Sequence, residues 1–426
     1  MRNFRFCFLF LIFVFLSGCA DDQEKTIQVR PAVETLPDSS PSGMSPQEKS
    51  FPEQQDNIVT QTSEVADIVR QIEAVSGEVG YAENGTIISV DLAKGRSSVS
   101  DEVLQMSLQL PQLKKLRAAG GTITSETLQL IGKQTNLEEL YLQDMPLRDT
   151  DIAVILPNLS NLRRLTLRDC NNVTDHGAET VVSLPGLRSL AFIKMNLTRQ
   201  GLEKIVESKK ITALDLRQCS RLMPEDYLLL ANMPQLTDLK IAGFSVNDFV
   251  LETVSQLPEL TGLTVEDAMI SPEGFAKMTT NPTIAEKLTL LVLARNTTLF
   301  DAGLEPLKNI HRLKRLSVNG MMITGEFLAV LAAEESKRPK LEMLSLEKSL
   351  LTPEGAAALK HFKELKSLNL AGTVLSQELV EIIAALETPK IINLSDCQLD
   401  NKMAETIRGM KSVTTWILNG NPLIQE

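Results

Sequence analysis

One spacing governs this sequence. An L-x-x-L-x-L unit, with an aliphatic or other apolar residue at most L positions, recurs from Ile87-Val90-Leu92 to Val413-Trp416-Leu418. Between these ends it passes through forms such as Leu137-Leu140-Leu142, Leu162-Leu165-Leu167, Leu236-Leu239-Ile241 and Leu365-Leu368-Leu370. Fourteen units are readable, the degenerate Pro389-Ile392-Leu394 included. Most steps are 24 or 25 residues, the first is 26 and two are 28. An ordinary globular domain does not hold such a period over this length. Within x-x-L-x-L, alternate residues face opposite sides of a short strand. One coil cannot bury its own leucines, so neighbours must stack and their strands must line up into one parallel sheet. Fourteen strands at the usual spacing span roughly 60–65 Å. The composition agrees, being 43% hydrophobic but only 4% aromatic, which suits many small, similar core slots.

The rest of each unit returns the chain across the other side. Ser271-Pro272-Glu273 and Thr352-Pro353-Glu354 place a capping hydroxyl, a first-turn proline and an acid near the helix dipole. Thr174-Asp175-His176-Gly177 and Thr198-Arg199-Gln200-Gly201 are variants. Helical spacing follows, as in Ala178, Val181 and Val182, so short helices of about two turns are expected. Cys170, Cys219 and Cys397 share one position, three residues after the last L. That common position reads as a buried thiol better than an odd, widely spaced set reads as disulfides. His176, His311 and His361 fall in return segments and lack metal-ligand spacing.

These units resemble the leucine-rich-repeat family, and the Thr-Asp-x-Gly returns are similar to its cysteine-containing branch. In that branch an Asn or Cys after L-x-L bonds the bend; here Cys170, Cys219, Cys397, Asn296 and Asn421 occupy the place. The resemblance covers roughly residues 86–423. It implies an α/β horseshoe solenoid with a parallel concave sheet and short convex helices, and it says almost nothing of function.

The N-terminal part is different. Arg2 and Arg5 precede an apolar run, Phe6 to Leu16, that is shorter than the ~20 residues a bilayer needs. It ends in Leu16-Ser17-Gly18-Cys19, which resembles the lipobox of bacterial lipoproteins. The expected organisation is a signal peptide over 1–18, a disordered tether over 19–62, a helix and hairpin cap over 63–86 and the solenoid over 87–426. Asn84-Gly85 marks the hairpin turn, and Ser63 is a candidate N-cap. Cys19 would carry the lipid. The protein would then sit in the cell envelope, on the outer membrane or the periplasmic face of the inner one, touching membrane through that lipid only.

A formal charge of −11 excludes a general attraction to nucleic acid. No H-E-x-x-H, G-x-S-x-G or phosphate-loop pattern occurs, so neither an enzyme nor a cofactor or metal site is expected. The expected role is protein binding on the concave face; an envelope scaffold without a specific ligand and an accessory to an enzyme are the alternatives. Outward positions of units two to seven hold six basic and three acidic residues. Among them Tyr141, Arg164, Arg168, Arg217 and Lys240 form the expected partner site, with Arg164, Arg168 and Arg217 clustering to receive an acidic segment. Leu290, Val292 and Met343 are apolar outward residues further along.

Overall fold

The computed structural model describes residues 54–94, 98–410 and 412–421, with side chains from residue 64 onward. The apolar start, Cys19 and the proline-bearing stretch lie outside the described residues.

The helix α1 (Gln54–Ala74) opens the described chain. It begins nine residues before the expected Ser63 cap, so the backbone of 54–62 is helical where composition predicts a tether. The reason is local: the last proline is at 52, and helical backbone satisfies its own hydrogen bonds without needing an apolar face. In the second half of α1, Ile68 and Ile72 are buried. Next comes the expected hairpin, β1 (Glu78–Tyr81) paired antiparallel with β2 (Ile87–Leu92). At its turn, Gly85 adopts φ +81 and Asn84 Oδ1 accepts from the Thr86 amide at 3.1 Å.

From β2 onward each coil adds one parallel strand. These are β3 (Lys115–Ala119), β4 (Glu139–Gln143), β5 (Arg164–Arg168), β6 (Ser189–Ile193), β7 (Ala213–Asp215), β8 (Asp238–Ala242) and β9 (Gly262–Glu266). They continue as β10 (Leu290–Ala294), β11 (Arg315–Ser317), β12 (Met343–Ser345), β13 (Ser367–Asn369), β14 (Ile391–Asn393) and β15 (Thr415–Ile417). All fifteen lie in one sheet in chain order. The fourteen expected repeat strands are β2 to β15. Their register puts the central leucines in line, Leu140 beside Leu165 beside Leu190 beside Leu214, and each is buried.

Helices cover the opposite side of this sheet. Most are short, such as Asp175–Val182, and three among the described residues are 3-10 helices, including Pro224–Asn232. Packed helices need 8–10 Å per neighbour where strands need about 4.8 Å. The stack therefore bends with the sheet inside, which makes the sheet concave. In the first of the 28-residue units the surplus is accommodated on the convex return, by the extra helix Pro282–Lys287. In the second it lies in the segment 333–342 before β12.

Two ladders tie coil to coil. The first is the one the cysteines and asparagines announce. Cys219 Sγ donates to the Phe192 carbonyl at 3.1 Å and Cys397 Sγ to Leu370 at 3.1 Å. Asn296 Nδ2 donates to Val265 at 2.9 Å and Asn421 Nδ2 to Leu394 at 2.8 Å. Thr373 joins them, through the Leu346 carbonyl at 3.2 Å. Every acceptor is the last inward residue of the preceding coil's L-x-x-L-x-L unit. Burial raises the thiols of Cys170 and Cys397 to about 11 and that of Cys219 to about 12, so all three are neutral near pH 7.

The second ladder explains the Thr-Asp-x-Gly return. Asp149 takes the Thr174 amide and hydroxyl at 2.8 and 2.7 Å. Asp175 does the same for Thr198, and Asp248 for Ser271. Each acid sits in the first turn of one helix and fixes the N-cap of the next coil's helix. The glycine makes room for it. A Cβ on Gly177, Gly201 or Gly274 would lie 2.7, 2.4 or 2.1 Å from the Oδ1 of Asp149, Asp175 or Asp248.

Candidate functional site

The concave sheet presents three outward columns. The first, starting at Lys115, continues through Glu139, Arg164, Ser189, Ala213, Asp238 and Gly262 to Leu290 and Arg315. The second runs through Arg117, Tyr141, Thr166, Ala191, Asp215, Lys240, Thr264 and Val292. Gln143, Arg168, Ile193, Ala242, Glu266 and Ala294 belong to the third. Arg217 follows β7 at the equivalent place.

This grid divides the expected basic cluster. Arg168 and Arg217 share the third column with the buried Ile193 between them, whereas Arg164 stands at the opposite end of β5. Arg164 is also engaged, 3.3 Å from Glu139, which holds Lys115 at 3.0 Å as well. Arg117 reaches Asp91 at 3.0 Å and lies 4.2 Å from the centroid of the Tyr141 ring. The Tyr141 hydroxyl donates to Gln143.

Arg217 is the most confined of the set. It grips Asp215 through Nε at 3.0 Å and through its terminal nitrogen at 2.8 Å, and it reaches Glu266 at 3.4 Å. Burial works against its charge, yet Asp215 and Glu266 outweigh that and raise its pKa above the usual guanidinium value. Glu266 and Asp267 then hold Arg295, at 3.0 and 2.8 Å. Four of the six basic residues of units two to seven are thus neutralised within the sheet. Sequence reasoning missed this because Asp91 and Glu266, which take Arg117 and Arg217, belong to units outside that window.

Three cations on the face make no ion pair among the described residues: Arg168, Lys240 and Arg315. Asp238 shares β8 with Lys240 and the first column with Arg315. Burial holds its carboxyl above the usual range, with Lys240 opposing and Asp215 adding to the shift. The floor around these groups is made of small side chains, Ser189, Ala191, Ala213, Gly262 and Thr264. Leu290 and Val292 are half-buried beyond it and Met343 is exposed. The three histidines are exposed on return segments. Among the described residues no group of three or more His, Cys, Asp or Glu is placed to hold a metal.

Stacked parallel strands, inward leucines and the Asn/Cys ladder together define a leucine-rich-repeat solenoid. No family model and no curated protein matches the chain. Among solved structures it is similar to a chain of the yeast Rad7 and Elc1 complex, at 17% identity and TM-score 0.46, over 76% of this chain and 94% of that one. It is also similar to an internalin from Listeria monocytogenes, at 19% identity and TM-score 0.38, over 85% of this chain and 94% of that one.

Proposed function

We propose that this solenoid is a protein-binding module that receives an acidic segment of its ligand on the concave sheet between β5 and β11. The observation that carries the reading is the set Arg168, Lys240 and Arg315, left without ion pairs around a floor of small residues. Arginine and lysine held on a rigid sheet meet carboxylates with little ordering cost. The site is therefore centred further along the stack than the Arg164–Arg168–Arg217 grouping, with Tyr141 and Arg164 at its margin. A photo-crosslinker at Ala191 is expected to capture a ligand from intact cells. Arg168→Glu with Lys240→Glu should weaken that capture about tenfold and flatten its salt dependence. Reversal of Arg164, already shared with Glu139, should weaken it less. Undiminished capture by the double variant at low salt would remove the site from this face.

We further propose that Cys19 is acylated after cleavage at Gly18 and holds the solenoid to an envelope membrane. The match of Leu16-Ser17-Gly18-Cys19 to the lipobox at the end of the apolar run supports this. Metabolic labelling with a fatty-acid analogue is expected to mark the protein and to fail in Cys19→Ala. Equal labelling of both would end the assignment.

A further inference from the structure

Halfway along the stack, the edge where the strands end changes character. In units two, three, four and six the exposed tip of the loop after the strand is Thr122, Pro146, Asn171 or Ser220, and in unit five the half-buried Asn196 stands there. In units seven, eight, ten, eleven and twelve it is Phe244, Met269, Met322, Leu350 or Val374, at 83%, 54%, 59%, 59% and 66% exposure. Unit nine interrupts the row with Thr297. Parallel strands all end on one side, so these tips lie along one flank of the arc, roughly 24 Å from first to last at strand spacing. Soluble monomers seldom leave so many large apolar side chains in one row.

The backbone sets the row. Two residues after the last inward position, the chain turns off the sheet through a left-handed residue. Asp267, Arg295 and Lys348 do so with φ of 51 to 56, and Gly243, Gly320 and Gly372 occupy the same place. The next residues run outward to the tip and back to the helix N-cap. From Phe244 to Val246, from Ala268 to Ile270, from Ser349 to Leu351 and from Thr373 to Leu375 they contain no charge. The alternate residues Val246, Ile270, Ile323, Leu351 and Leu375 are buried, so the turn itself is held by the core while the tip projects.

We propose that this ridge seats the solenoid on a lipid bilayer, with the five tips inserted at the headgroup–acyl boundary. The shape favours lipid over a second copy. From Met269 on, each tip stands alone between buried neighbours, Ala268 and Ile270, Met321 and Ile323, Ser349 and Leu351, Thr373 and Leu375, so the row is one residue wide, with Asp267, Arg295 and Lys348 on its sheet side. Two such ridges on rigid copies meet along a line and bury little, whereas a bilayer closes around each tip. The tips are uncharged and the chain carries −11, so the fitting surface is zwitterionic and the attraction is apolar. The acylated Cys19 proposed above would keep the ridge close, since residues 20–53 reach at most roughly 110–120 Å. The ridge does not depend on that anchor or on the concave face.

The test uses the chain from Ala20 onward, which keeps every described residue and lacks the acylation site, with phosphatidylcholine vesicles. The protein is expected to co-float with the vesicles, with little change when salt is raised. Phe244→Ser, Met322→Ser, Leu350→Ser and Val374→Ser combined should lower the bound fraction about tenfold or more, with the unfolding midpoint retained because all four are exposed. A polarity-sensitive fluorophore on Leu350→Cys should shift to the blue with vesicles, while one on Asn171→Cys, on the same flank, should not. Buried Cys170, Cys219 and Cys397 stay unlabelled in the folded chain. No flotation at saturating lipid, or equal flotation of the fourfold variant, would overturn the proposal. So would self-association that the four substitutions abolish, which would give the ridge to a second copy.

Discussion

Leu165→Ala is expected to lower the stability of the solenoid by about 2–5 kcal/mol, while Thr166→Ala stays within about 0.5 kcal/mol. The two residues are neighbours on β5 and differ only in the side they face. Leu165 is 1% exposed and lies in line with Leu140 and Leu190, so its removal opens a void that neither adjacent coil can fill. Thr166 looks across the concave face beside Tyr141 and Ala191. In a stacked array, stability is carried by each coil and its two interfaces. The loss is therefore expected to appear in hydrogen exchange first around units three to five. Denaturant melts of both variants decide the matter, and equal losses would mean the strand faces are reversed.

That contrast rests on the part of the molecule the sequence makes most legible. Leucine alternation depends only on strand geometry, so the register of β2 to β15 follows from the spacing alone. The caps at Thr174, Thr198, Ser271 and Thr352 were equally readable, because a hydroxyl before a helical stretch acts within three residues of itself. Each side chain accepts from an amide of its own first turn. What escaped was interaction between coils at unlike positions. Asp248 reads as an ordinary first-turn acid, and its hold on Ser271 appears only once the stack is built. The left-handed column did leave a signal, in the glycines and aspartates at 120, 144, 169, 243, 267, 320 and 372. Those are the residue types that tolerate positive φ.

The concave face was legible in position and illegible in charge balance. Which residues point outward follows from alternation; which of them neutralise each other depends on side-chain reach across two strands. Arg217 shows the difference. By sequence it is one more outward arginine, yet in the fold it bridges Asp215 and Glu266 and is half-buried. Its place is to stitch units six to eight together. Arg168, one column-mate away, keeps its charge for a ligand because its neighbours in register are Gln143 and Ile193.

Gly355→Ala is expected to cost more than any other glycine replacement in the return helices, about 1–3 kcal/mol or beyond. A Cβ there would lie 2.1 Å from the Thr324 carbonyl oxygen and 2.9 Å from the Gly325 backbone. Both are main chain, and Thr324 also accepts from the Thr352 amide at 3.0 Å, so the two coils cannot part without losing that bond. Gly274→Ala offers the control. Its Cβ would meet the Asp248 carboxylate at 2.1 Å, a side chain that can be removed. Asp248→Ala removes the carboxylate and leaves only its Cβ, at 2.7 Å, so it should relieve part of the Gly274→Ala penalty, with the loss of the Asp248–Ser271 bonds as a common cost. For Gly355, removing a side chain frees no space: Leu351→Ala or Thr324→Ala in the same chain should add to the loss. Unfolding midpoints of the singles and doubles give the answer. Rescue at position 355 by either alanine would show that side chains, and not the pressed backbones, set the distance between units ten and eleven.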